Sequence, residues 1–303
     1  NHPRAYFFSF AYVESARRVQ PEASSYWQSL NGTWKFHWAP NSDERPKAFY
    51  ETQFDVAAWD DITVPSCWNV VGIQKDGSLK YGVPIYCNQP VIFKHTKVVG
   101  DWKGGVMREP NKDWTTYKYR NEVGSYRRTF RIPEDWRERE VYINFDGVNS
   151  FFYLWINGKY VGFSKNSRNT ASFNISDYLV KGENMVAVEV YRNSDGSFLE
   201  AQDMYRLPGI FRDTYLTSTS KVELRDMKIN TDLTAGGASV EVNAMLRNLG
   251  AKAVKGYSLT YSVYQNKLYS DEIVGQVGKP VVSETFVLDK DASRNVSTRF
   301  EIA

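Results

Sequence analysis

The chain has 303 residues and a formal net charge of +3, with 42% hydrophobic and 15% aromatic residues, nine Trp and twenty Tyr among them. That length buries a sizeable core and predicts two domains, while the near-neutral charge without a basic run excludes nucleic acid as the natural partner. No apolar run reaches the length of a membrane span, and Cys67, Cys87, His2, His37 and His95 supply neither a disulfide framework nor a zinc motif.

Strand signals dominate in chain order. Ser42 to Tyr50 carries at most a short turn, and no amphipathic helix stands out. Residues 93–121 form a long irregular excursion with seven Lys/Arg and His95 against three acidic residues. Loops of that length inside a compact domain are either functional or tolerated insertions, and the sequence favours neither. Tyr126 to Ile132 alternates, as does the stretch from Val141, which sets Val141, Ile143 and Phe145 on one face. The run SFFYLWINGKYVGFS reads as two strands around Asn157-Gly158, a pair suited to the positive φ angles of a type I′ hairpin. A turn at Lys181 to Asn184 leads into a strand with Val186, Val188 and Val190 facing one way.

The stretch NSDGSFLEAQDMYRLPGIFRDTYL, Asn193 to Leu216, breaks this pattern. It mixes Asp195, Glu200, Asp203, Arg206, Arg212 and Asp213 with Phe198, Tyr205, Pro208 and Phe211 at neither helical nor strand period. Buried charges must be paired, so a half-buried loop held by its own ion pairs is expected, shaped to present one or two polar groups. After Leu216 the strands shorten, and Val240, Val242, Ala244 and Leu246 share a face. Five strands at most are readable there, against about seven in an immunoglobulin-like sandwich. The expected architecture is all-β: a first sandwich over 1–219 and an immunoglobulin-like sandwich over 220–303 that stops short of completion.

The aromatic content fits two explanations. Sugar rings stack on aromatic faces, and large sandwich cores are also rich in Trp and Tyr; the core explanation covers most of these residues. There is no Gly-rich phosphate loop, no G-x-S-x-G elbow and no H-E-x-x-H. Acidic residues are plentiful, but nothing in their spacing nominates a catalytic carboxylate pair.

Several long motifs recur in a known order: SLNGTWKFHW from Ser29, VPSCWNVVG from Val64, PIYCNQ from Pro84, FDGVNSFFYLWINGKYVGFS from Phe145, and SDGSFLEAQDMYRLPGIFRDTYL from Ser194. Together they resemble the amino-terminal part of a glycoside hydrolase family 2 β-galactosidase, strongly to about residue 216 and more weakly beyond. The QDM core at Gln202 with GIFRD from Gly209 favours the β-galactosidases over related glucuronidases and mannosidases.

The resemblance implies a jelly-roll sugar-binding domain, then an immunoglobulin-like domain, then a catalytic barrel beyond Ala303 that supplies both catalytic glutamates. The chain alone is therefore expected to be inactive, with no catalytic residue of its own. Its implied partners are the barrel of the same polypeptide and a β-galactoside, in an enzyme that is a homo-oligomer using sodium and magnesium. Asn88 matches an asparagine that hydrogen-bonds the galactosyl hydroxyls, and Asp203 an aspartate that contacts the sugar and binds sodium. A carboxylate suits both tasks. From the residues alone, Asp203 bracing its loop through Arg206 or Arg212, and Asn88 stabilising a turn before Gln89-Pro90, remain competing explanations. The motif departs at Ala201, where relatives often carry a second aspartate. It departs again at Lys165, which matches a glutamine that joins the counterpart of Asp195 around a structural magnesium. An ammonium cannot ligate a cation, so that site is expected to be missing. The rival functional class is a free-standing carbohydrate-binding module. The compartment, cytoplasmic or periplasmic, is not legible.

Overall fold

The structure is a computed structural model that describes residues 8–18, 20–84, 121–200 and 204–303. The 93–121 excursion, Cys87, Asn88 and Asp203 therefore lie outside the described residues, apart from Asn121. The chain is all-β, with nineteen strands and only short helical turns among the described residues. It divides into two compact units: Ser29–Pro133 with Tyr142–Leu216, and Asn1–Gln28 with Glu134–Val141 and Thr217–Ala303.

The strands up to residue 219 are β1 (Trp27–Ser29), β2 (Gly32–Ala39), β3 (Asp60–Val64), β4 (Val123–Arg131), β5 (Glu140–Phe145), β6 (Val148–Asn149), β7 (Phe151–Ile156), β8 (Lys159–Ser164), β9 (Ala171–Asn174), β10 (Glu183–Tyr191), β11 (Gly209–Ile210) and β12 (Thr214–Thr219). They form a six-stranded sheet in the order β3-β2-β4-β10-β7-β8, a four-stranded sheet β1-β12-β5-β9, and the small pair β11-β6. Every neighbouring pair of the larger sheet is antiparallel. Phe145 and Phe173 of the smaller sheet pack on Phe152 of the larger at ring-centre distances of 5.0 and 5.9 Å, so the two sheets close a sandwich over a shared aromatic core.

The aromatic surplus is mostly core, as expected from the sequence: Trp34, Trp68, Tyr126, Phe36 and Phe152 are fully buried. Strand β10 departs from simple alternation, because Met185 and Ala187 are buried on the face opposite Val186, Val188 and Val190. Phe49, Tyr50, Phe54 and Trp59 pack over that outer face. Arg127 anchors this covering segment by donating from Nη1 to the carbonyls of Phe54 at 2.6 Å and Phe49 at 3.3 Å. The rest of the outer face, on β7, β8 and the end of β10, is a half-exposed cluster of Phe151, Tyr153, Tyr160, Phe163 and Tyr191.

The expected hairpin forms where the sequence places it, with Asn157 at φ 51 and Gly158 at φ 79. Beyond residue 219 the chain forms seven strands where sequence alternation shows five at most: β13 (Val222–Thr234), β14 (Gly237–Asn248), β15 (Val254–Tyr257), β16 (Thr260–Asn266), β17 (Ile273–Val282), β18 (Phe286–Leu288) and β19 (Ser293–Ile302). They pair as β13-β14-β19, β15-β18 and β16-β17. Val240, Val242, Ala244 and Leu246 do share one buried face of β14. Leu246 joins Phe286 and Leu288 in the small core of this unit.

Candidate functional site

The densest polar arrangement in the sandwich is built around Glu122, whose side chain is fully buried. This residue enters β4 directly after Asn121, which sits at φ 53. Its Oε1 accepts from Arg192 Nη1 at 2.5 Å. Its Oε2 accepts from Trp68 Nε1 at 3.2 Å, Asn69 Nδ2 at 3.3 Å and Trp38 Nε1 at 3.4 Å. Trp68 and Asn69 open the short helix Trp68–Val71, and Arg192 follows the last residue of β10. Gly124 makes the arrangement possible, since a Cβ there would lie 2.7 Å from the Trp68 ring and 2.8 Å from Phe36.

Arg192 is as buried as its partner. Burial lowers its proton affinity below the ordinary arginine range, and Glu122 offsets only part of that effect. The guanidinium reaches two backbone carbonyls through Nη2, Val83 at 2.8 Å and Arg206 at a marginal 3.5 Å. Its backbone N–H donates to the Glu122 carbonyl at 3.0 Å. Asn69 also donates to the Tyr81 carbonyl at 2.5 Å. Gly82, at φ 74, lies against the carboxylate, where a Cβ would come within 2.5 Å of Glu122 Oε1. Three successive residues, Tyr81 to Val83, are thus fastened to one buried carboxylate–guanidinium pair.

The stretch after residue 203 is fastened to the same elements. The Leu207 carbonyl accepts from Asn149 Nδ2 at 3.3 Å. The Pro208 carbonyl accepts from the Trp68 backbone N–H at 3.1 Å, and the Ile210 carbonyl from that of Ser66 at 2.7 Å. Gly209 is required for the approach, because a Cβ there would lie 2.6 Å from the Ser66 carbonyl oxygen.

Upstream of residue 201 the irregular loop is held by polar side chains. Asn121 Oδ1 accepts from the Asn193 N–H at 2.8 Å. Glu200, on the short helix Ser197–Glu200, accepts from the Ser167 N–H at 3.0 Å and from its hydroxyl. On the downstream side, Arg212 donates to the Arg168 carbonyl at 3.1 Å. Lys165 Nζ donates to Asp195 Oδ2 at 2.8 Å on the surface, and this contact leads the causes that lower the Asp195 carboxyl below the ordinary range. The residues present do not fit a magnesium ion at this place: the group matching an oxygen ligand is a cation, and it already neutralises the one carboxylate.

Sequence reasoning nominated Asn88 and Asp203, both outside the described residues, and passed over Glu122 and Arg192. Glu122 immediately precedes β4 and Arg192 immediately follows β10, and no local pattern connects residues separated by 70 positions.

Comparison with known proteins assigns this architecture. The sequence model of glycosyl hydrolases family 2, sugar binding domain, matches residues 27–220. A β-galactosidase of Priestia megaterium is 44% identical over 221 residues, 73% of this chain and 19% of that protein. One from Pectobacterium atrosepticum is 35% identical over 289 residues, 92% of this chain and 24% of the relative. The chain thus spans about a fifth to a quarter of the length of these relatives. Among solved structures, a Bacteroides uniformis β-glucuronidase superimposes with a TM-score of 0.66 at 20% identity, over 91% of this chain and 28% of that one. A putative β-galactosidase from Bacteroides fragilis gives 0.59 at 18% identity, over 91% and 35%. At those identities the superpositions show the fold alone. The sequence match over the whole sandwich shows more: this chain belongs to glycosyl hydrolase family 2 and carries its sugar-binding domain.

Proposed function

We propose that the chain is the amino-terminal part of a β-galactosidase, an enzyme that cleaves terminal β-D-galactosides with retention, and that it lends substrate contacts to a catalytic barrel elsewhere in the polypeptide. The observation that carries this is the 44% identity over 221 residues to a β-galactosidase of which they form only 19%. In this reading residues 1–219 are the jelly-roll domain and 220–303 belong to an immunoglobulin-like domain. Asn88 hydrogen-bonds sugar hydroxyls. Asp203 accepts from them and is a sodium ligand, as a hard carboxylate oxygen can be. Sodium and magnesium serve the whole enzyme, and magnesium is held outside this chain. The enzyme is a homo-oligomer; among the described residues no helix is long and apolar enough to cross a membrane.

The test compares the 303-residue chain with the longer polypeptide on a chromogenic β-galactoside. The longer protein should turn it over. The chain should not, and its affinity for lactose should be weak, because two contacts offset little of the entropy of association. Turnover by the repurified chain contradicts the reading. Micromolar lactose binding by the chain alone, lost on replacing Tyr160 or Phe163 of the exposed aromatic cluster, would favour a carbohydrate-binding module instead.

A further inference from the structure

An open pocket of about 430 Å³ lies at the β3 edge of the six-stranded sheet, within one compact unit. Pockets of that size with a few convergent polar groups suit a small ligand. Lys35 and Arg127 line it and stand directly opposite each other on neighbouring strands, on the outer face that also carries Ala187 and Met185. Like charges so placed repel. Asp61, opposite Lys35 on its other side, engages it at 2.9 Å. Arg127 has no such partner among the described residues. Its guanidinium donates only to carbonyls, from Nη1 to Phe49, Glu51 and Phe54 and from Nη2 to Thr52 at a marginal 3.5 Å. Carbonyls satisfy N–H groups without neutralising the charge, and burial lowers the Arg127 pKa with no carboxylate to offset it. Arg128 also lines the pocket and is in the same state, donating from Nη1 to the Leu30 and Asn31 carbonyls at 2.6 and 2.7 Å while burial lowers its pKa. The described lining thus sets the cations Lys35, Arg127 and Arg128 against the single acid Asp61.

Unbalanced, partly desolvated positive charge beside open space is what an oxyanion completes. A bare phosphate or carboxylate would fill only part of this volume. The rest of the lining suits a hydroxylated ring: Thr33 and Thr129, two residues along from Lys35 and Arg127, have hydroxyls that donate and accept, and Val56 and Met185 offer an apolar patch to C–H groups. We propose that this pocket is a further, non-catalytic binding site for a hexose carrying an oxyanion, phosphate or carboxylate, with Lys35 donating to the oxyanion, Arg127 and Arg128 supplying the positive field, and Thr33 and Thr129 meeting ring hydroxyls. The three donors of the Lys35 ammonium serve Asp61 and the ligand together. Asn88 and Asp203 take no part, so the site stands apart from the galactoside reading.

The test is titration calorimetry on the full polypeptide containing this chain, with an excess of a non-hydrolysable thiogalactoside present to occupy any galactoside site. Glucose 6-phosphate and glucuronate are the two probes, and glucose and inorganic phosphate the controls. At least one probe should bind once per chain with a Kd on the order of 0.1–1 mM, and which of them binds identifies the oxyanion. Glucose and inorganic phosphate should each bind about tenfold or more weakly, because each lacks half of the contacts. Lys35→Met should weaken the probe about tenfold or more. Asp61→Asn, which frees the ammonium and removes the one negative charge, should tighten it about two- to fivefold. Both variants should keep a Tm near that of the wild type, since an exposed ion pair contributes little. Lys159→Met, on β8 at the opposite edge of the sheet, removes the same charge elsewhere and should leave the Kd unchanged. No saturable binding of either probe up to about 20 mM overturns the proposal. So does a Kd that Lys35→Met leaves unchanged or that Lys159→Met raises equally. Inorganic phosphate or glucose binding as tightly as the probe overturns it too, since the hexose body or the charge would then be irrelevant.

Discussion

Glu122 and Arg192 are the residues on which the sandwich interior is most sensitive to chemistry rather than volume. Arg192→Met would leave a carboxylate in an apolar interior, with Trp38, Trp68 and Asn69 its remaining donors. The expected cost is about 3–5 kcal/mol, the range for stripping one partner from a buried pair, and urea unfolding measures it. A shift of the midpoint corresponding to less than about 1 kcal/mol would show that the side chains or water re-pair the charge. His37 makes a second prediction. Burial beside Trp59 lowers its pKa from the ordinary 6.5, while the Asp60 charge pulls the other way. A histidine depressed on folding binds its proton more readily in the unfolded chain. Stability should therefore fall as pH drops below about 6.5 towards the folded-state value and level off beneath it. Melting temperatures between pH 7.5 and 5 should show this, and His37→Gln should flatten the profile in that window. Neither effect is legible in the sequence: an isolated Glu or His carries no local sign of the depth at which the fold buries it.

At the scale of elements, the hairpin between β7 and β8 is where sequence and structure agree most closely, for a reason the structure enlarges. Asn157 and Gly158 adopt the positive φ angles that the Asn-Gly pair predicts. The Asn157 side chain also donates to the Tyr178 carbonyl at 2.9 Å and to Asn184 Oδ1 at 2.8 Å, and accepts from the Met185 N–H at 2.8 Å. Asn157→Ala gives up three hydrogen bonds at about 0.5–1.5 kcal/mol each together with a residue type that tolerates the left-handed region, so about 2–4 kcal/mol of destabilisation is expected. Asn157→Gly, which loses the same bonds but keeps the backbone freedom, should lose less; equal losses would show that tolerance of the left-handed region contributes nothing. Alternation located β7, β8 and β14, where one face is wet and the other dry. It also located β10 with Val186, Val188 and Val190 on one face, but gave no sign that the opposite face is buried as well, under Phe49 and its neighbours. It passed over β15, β17 and β18, since Val254–Tyr257 and Phe286–Leu288 are too short to show a period and Ile273–Val282 is interrupted by Gly275, Gly278 and Pro280.

At the scale of the molecule, the two units differ in how much they bury. Among the described residues beyond 219, the buried apolar side chains are Val240, Val242, Ala244, Leu246, Phe286 and Leu288, while Leu233, Leu268, Tyr269, Val274 and Val282 are exposed. A core that small predicts lower protection of residues 220–303 from hydrogen exchange than of the sandwich strands. Uniform strong protection in a monomer would contradict this. The family and the all-β fold were legible, because long ordered motifs survive where single contacts do not. Asn88 and Asp203 were nominated through resemblance alone, and both lie outside the described residues. The central claim is that this chain contributes a galactoside- and sodium-binding carboxylate to its parent enzyme. Steady-state kinetics of Asp203→Asn in the full polypeptide, across a sodium titration, test it most directly. A charge-assisted contact is worth roughly 1.5–3 kcal/mol, so kcat/KM should fall about 10- to 100-fold with a weakened sodium response and little change in Tm. A folded variant with normal kinetics and normal sodium activation, or one that loses Tm alone, would contradict the account.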